Sequence, residues 1–169
     1  MDLSALQQFL DDAFDQALIC HGFTDYMRDY EMIIYLPVDS RARIAPVHLR
    51  YLFRHCMEAH VNTALRRDIW QGSLDDRLLG DPASHEIDGF CWGVRWQNLY
   101  PGATIIQDSA RARAWGDALG IDMHEVRFEA NAHDITLVFS DLQVATVEPG
   151  YALFSSRADE GPTTGNAPA

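Results

Sequence analysis

The first stretch of the chain repeats its apolar residues every three or four positions. Leu3, Leu6, Leu10, Ala13, Phe14, Ala17 and Leu18 fall on one stripe, the spacing of an amphipathic helix packed on a core. The pattern predicts a helix over about 3–20, started by Asp2 or by a Ser4–Gln7 capping box and stopped at Gly22. Its outer positions, Asp11, Asp12 and Asp15, are acidic. The period then changes. Within 28–36, Met32, Ile33, Ile34, Tyr35 and Leu36 are apolar on both faces, which predicts a strand covered on both sides and ending at Pro37.

Residues 47–65 alternate over an unusual length. Val47, Leu49, Tyr51, Phe53, Met57, Ala59, Val61 and Leu65 hold odd positions, while His48, Arg50, Arg54, Glu58, His60 and Asn62 hold even ones. Leu52, Cys56 and Ala64 break the rule. A helix also fits, because Leu49, Leu52, Phe53, Cys56, Met57 and Ala64 share an arc. We prefer a long or bulged strand.

Further on, Ser73 with Asp76 predicts a short helix that stops at Gly80. Phe90, Trp92, Val94 and Trp96 alternate with polar or small residues, the clearest strand signal in the chain. Ala103–Gln107 reads as another short strand. Asp108 or Ser109 caps a predicted helix over 109–119 that carries Ala112, Trp115, Ala118 and Leu119 and ends at Gly120. Three strands follow, Val126-Phe128-Ala130, Ile135-Leu137-Phe139 and Leu142-Val144. The links at 131–133 and 140–141 are short enough to predict antiparallel hairpins.

From Ser155 the chain has no large apolar residue, so 155–169 is expected to be a disordered tail after a single domain of 1–154. Consecutive strands with few helices place the fold in the α+β class. A curved, mainly antiparallel sheet should pack against two main helices, at about 3–20 and 109–119.

Composition narrows the function classes. With 169 residues and 47 % apolar side chains, one hydrophobic core is affordable. The absence of an 18-residue apolar run and of a basic–apolar leader argues against membrane or secreted protein. Cys20, Cys56 and Cys91 are odd in number and form no CxxC pair, so reduced thiols and a cytoplasmic location are expected.

The net charge is −12, with 13 basic residues, all arginine, against 25 acids. Residues 1–40 alone carry one Arg and eight acids. Such a balance opposes a phosphate backbone and favours a basic protein partner. Without lysine, a phosphate-loop lysine and Schiff-base chemistry are impossible. No GxGxxG, HExxH or GxSxG motif occurs.

Two sets of residues remain. For a partner surface, Tyr26, Arg28 and Tyr30 have the composition of interface anchors, with Asp11, Asp12 and Asp15 as steering charges. For a pocket in the curved sheet, Trp92 and Trp96 are the candidate lining, with Cys56, His60, His124 and His133 as polar groups. Neither set makes a metal site or a catalytic constellation, and no cofactor is expected.

Several phrases are distinctive together. They are the 25–31 run Asp-Tyr-Met-Arg-Asp-Tyr-Glu, the 48–53 run His-Leu-Arg-Tyr-Leu-Phe, Trp70 with the 73–76 run Ser-Leu-Asp-Asp, the 88–94 run Asp-Gly-Phe-Cys-Trp-Gly-Val, the 96–102 run Trp-Gln-Asn-Leu-Tyr-Pro-Gly and the 133–142 run ending Phe-Ser-Asp-Leu. On these the chain resembles bacterial YxiG-like proteins over about residues 22–151. The resemblance brings no catalytic residues to carry over. The namesake's association with a contact-dependent toxin locus implies an immunity-type role. The expected function is therefore a non-enzymatic acidic binding protein for a basic toxin domain, with a small-ligand carrier or enzyme as the alternative.

Overall fold

A computed structural model of the chain describes residues 2–24, 27–37, 46–74 and 97–151. The predicted helix near 73–80 beyond Leu74, the strand with Trp92 and Trp96, Tyr26, Cys91 and the tail from 155 lie outside the described residues.

Helix α1 spans Leu3–Asp12 and buries Leu6 and Leu10. It ends well before residue 20. Asp15 turns the chain in the left-handed region at φ 59°, and Ala17–Phe23 becomes strand β1. Ala17 and Leu18 share the helical stripe, but as strand residues they pair with Tyr35 and Ile34 of β2, Tyr30–Leu36. Gly22, the expected helix stop, sits inside β1 opposite Glu31. Ladder bonds and burial outweigh a weak local preference here.

The remaining elements are β3 (Val47–Arg54), β4 (Glu58–Thr63), α2 (Arg67–Ser73), β5 (Gln97–Asn98), β6 (Gly102–Ile105), α3 (Ala110–Leu119), β7 (His124–Glu129), β8 (His133–Phe139) and β9 (Asp141–Val147). Among the described residues they make two antiparallel sheets, ordered β5-β1-β2-β3-β9 and β4-β8-β7-β6. The α+β class and the antiparallel pairing hold, and the one expected curved sheet divides into two.

The division is built on one long strand pair. Strand β3 pairs with β9 from His48–Val147 to Arg54–Asp141, and β4 pairs with β8 from Glu58–Val138 to Thr63–His133. At the corner between them, 55–57 faces only 139–140, so one arm carries an extra residue in the manner of a β-bulge. The long alternation of 47–63 is thus a bulged strand that passes from one sheet to the other. The same corner overturns the hairpin expected at Ser140-Asp141, because β8 and β9 lie in different sheets.

Asp29 holds the corner. Its fully buried carboxylate accepts the His55 N–H at 2.8 Å, where His55 has φ 50°. Arg54 Nε lies 2.8 Å from the other oxygen as an ion pair outside hydrogen-bond alignment. The N–H groups of Cys56, Met57 and Ser140 donate to Arg28, Val138 and Arg54 carbonyls. The main-chain N–H groups of His55, Cys56, Met57 and Ser140 at the bend therefore all have a main-chain or carboxylate partner, as buried backbone requires.

Between the sheets lies the core. Phe53 meets Phe128 and Phe139 edge-on, at ring distances of 5.7 and 4.9 Å. Met32, Ile34, Tyr51, Val126, Ile135 and Leu137 surround them. Helix α1 adds Leu6 and Leu10, and the Tyr51 hydroxyl donates to the Phe9 carbonyl at 3.0 Å. Each such buried side chain contributes about 1.5–3 kcal/mol.

Candidate functional site

Tyr30 does not belong to an outer surface. It is 3 % exposed and packs edge-on against Phe23, with its hydroxyl 2.6 Å from His21 Nδ1. In β2 it alternates in phase with Met32 and Ile34, and all three face the core. Arg28 is half-exposed and its Nε lies 3.3 Å from Asp29, so it borders the corner described above.

The polar residues suggested for a pocket do not converge. Cys56 is 3 % exposed and belongs to the core, its Sγ 3.3 Å from the Glu58 carbonyl. Burial pushes its thiol up to about 12, which removes the reactive thiolate at neutral pH. His60 instead shares the opposite face with Glu58, whose carboxylate lies 3.2 Å from its Nε2. The corner residue Cys56 turns inward although it is an even position, so it does not share a face with His60. His124 and His133 begin β7 and β8 respectively, and these strands run antiparallel. The two imidazoles therefore sit near opposite ends of the pair, each with a pKa lowered by burial. Among the described residues no group of three or more His, Cys, Asp and Glu could hold a metal ion.

The outer face of the four-stranded sheet is different. Ser109 caps α3, its hydroxyl accepting the Ala112 N–H at 3.0 Å and donating to Glu125. Arg111 in the first turn pairs with Glu125 and reaches Glu58 at 3.4 Å. Trp115 donates its indole N–H to Glu58 at 2.7 Å, and this bond, with His60 and Arg111, lowers the Glu58 pKa. Gly120 closes the helix in the left-handed region at φ 69°, where a residue without Cβ is least strained. Two carboxylates thus dock α3 through its polar side.

Beside α3 opens a cleft of about 930 Å³. Ile105, Ile106, Ala112, Ile121 and Met123 line it together with Leu3 of α1. Leu3, Ile106 and Ile121 are exposed large hydrophobics. Asp108, Asp117 and Asp122 also line it, against Arg113 as the one arginine.

A second exposed patch lies at the far end of α1. Phe14 and Tyr100 are both about half exposed and tilt together at 5.8 Å. Gly102, at φ 108°, lets this pair sit close to β6, because a Cβ there would meet the Phe14 ring at 3.2 Å. Asp11, Asp12 and Asp15, close to Phe14 in the chain, are also exposed. Asp11 accepts from Gln7 at 2.7 Å and Asp15 from Asn98 at 2.8 Å.

The periodicity predicts all three acids on the outer face of one helix, but Asp15 lies beyond the end of α1, and no pattern predicts the aromatic pair. Phe14 belongs to the predicted buried stripe, and Tyr100 lies 86 positions away in the chain. No local signal joins them. The cleft has no local signal for the same reason, although the acids at 108, 117 and 122, in and beside one helix, are plain in the sequence.

No helix among the described residues is long and apolar enough to cross a membrane. A family model described as YxiG-like protein matches residues 2–157. No curated protein matches the chain.

Proposed function

The chain belongs to the YxiG-like protein family, and on that premise we propose that it is a non-enzymatic acidic binding protein, of the immunity type, that occupies a basic partner domain. The observation that carries this reading is the exposed Phe14–Tyr100 pair, with the exposed acids Asp11, Asp12 and Asp15 next to Phe14 in the chain. Exposed aromatics supply contact area at low entropic cost, and arginine or lysine stacks on their faces. The surrounding carboxylates speed encounter with a cationic surface, as does the net charge of −12. The cytoplasm is where such a protein would intercept a toxin domain.

The carrier or enzyme alternative would need room between the sheets. There, Phe53, Phe128 and Phe139 pack ring to ring with no exposure.

The test is coexpression with cationic domains encoded beside the gene, followed by stopped-flow association of the purified pair. Growth is expected to be rescued, and the on-rate to fall as salt rises. Phe14→Ala or Tyr100→Ala should weaken binding about tenfold, the hot-spot scale. A stable pair with salt-independent association and no effect of either variant, or no rescue at all, overturns the reading.

A further inference from the structure

The cleft beside α3 has two features that one kind of occupant satisfies together. Its floor is aliphatic, with Leu3, Ile106 and Ile121 left open to solvent although they are large and apolar. Its other lining includes Asp108, Asp117 and Asp122 with a single arginine, Arg113. Glu125, a fourth carboxylate of the lining, is already paired with Arg111 and Ser109. A neutral apolar ligand would leave three carboxylates partly desolvated, and a plain polycation would leave the floor wet.

Backbone pairing offers little here. The Ile106 N–H already donates to the Glu125 carbonyl at 2.9 Å, and the Gly120 N–H to Gly116 at 2.8 Å. An added strand would find these donors taken. Side chains are what the cleft presents, and that suits a helix laid in a groove. The ten residues of α3 measure about 15 Å along the axis at 1.5 Å per residue, which matches two to three turns of a second helix.

We infer that this cleft receives a cationic amphipathic helix of the partner, with aliphatic side chains on Ile106 and Ile121 and arginines or lysines toward Asp108, Asp117 and Asp122. The inference deepens the binding reading and rests on its cationic partner, but it uses a surface separate from the Phe14–Tyr100 pair.

The probe is a synthetic 14-residue helical peptide with leucine at every third or fourth position and arginine on the opposite face. Its control is a scrambled peptide of the same composition. In an amide NMR titration, shifts are expected at Ile106, Asp117, Ile121 and Met123. The scrambled peptide should bind at least tenfold more weakly, and so should the helical one to D108N/D117N/D122N protein of unchanged melting temperature. Equal binding of both peptides, or no loss in the triple variant, overturns the assignment of a helix to the cleft. Shifts confined to Phe14 and Tyr100, or no peptide binding while the cationic domain still associates, overturn the cleft alone and leave the binding reading standing. If neither peptide nor domain associates, both fall.

Discussion

The two faces of the four-stranded sheet are made from the same strands and behave as different materials. Inward, Val126, Phe128, Ile135, Leu137 and Phe139 are wholly buried against the other sheet. Outward, the same β7 and β8 present Glu125, Arg127, Glu129, Asp134 and Thr136, linked by pairs such as Arg127–Asp134 at 2.7 Å. Helix α3 covers part of this outer face through Glu58, Glu125, Arg111 and Trp115. The inner face derives its energy from area removed from water, which is insensitive to salt and pH. The outer face derives it from directed bonds in partly wet surroundings, where each contributes little and can be exchanged for a partner's. Stability is concentrated inside.

The largest effect should come from the inner face. Phe128→Ala removes a ring that touches Phe53 in the closed core, and a loss of about 3–5 kcal/mol is expected in urea unfolding. A loss below about 1 kcal/mol would mean that the space between the sheets is looser than the ring packing implies.

On the outer face, Glu125→Ala should cost roughly 1.5–3 kcal/mol, the scale for losing a hydrogen bond to a charged group. The Ser109 hydroxyl keeps its cap bond, and Arg111 is half-exposed and can rehydrate. Hydrogen exchange should quicken in α3 far more than in β7. Uniform quickening would show that the two faces are not separable.

Acid should produce a smaller change. His21, His124 and His133 all have pKa values lowered from 6.5, in each case first by burial. In this range the unfolded chain binds more protons than the folded one. Stability is therefore full above about pH 6.5 and falls as pH drops through the lowered folded values. Melting temperature measured from pH 7.5 to 5 should decline, and His21→Gln should flatten part of the slope. A rise toward pH 5 would contradict the burial of these rings.

The smallest effect belongs to the cleft rim. Asp117→Asn and Asp122→Asn should each change stability by no more than about 0.5 kcal/mol, as exposed substitutions do. Together with Phe128→Ala, they bracket the comparison. A rim variant that destabilised as much as a core one would make the acids structural.

Much of the local structure was legible in the chain. Strand β2 follows from the doubly apolar run that ends at Leu36, and β2 is central and flanked by β1 and β3. The cap at Ser109 and the left-handed stop at Gly120 follow from residue type. The 47–63 alternation correctly set Leu49, Tyr51, Phe53 and Ala59 toward the core. Core positions are odd along β8, through Phe139, and even along β9, from Leu142, a change of phase at the corner.

Periodicity by itself determined which face of each segment is apolar, because that depends only on neighbours in the chain. It could not determine which layer a segment joins. Whether β8 turns back on itself or crosses into the second sheet is decided at a corner where Asp29 binds the His55 N–H, 26 residues away. The end of α1 was likewise settled by β2, whose ladder claims Ala17 and Leu18. The exposed Phe14–Tyr100 pair and the α3 cleft exist only where distant segments meet. Tertiary structure decided these because burial and hydrogen-bond satisfaction are properties of the assembled chain, and a local pattern constrains them without selecting among the ways to meet them.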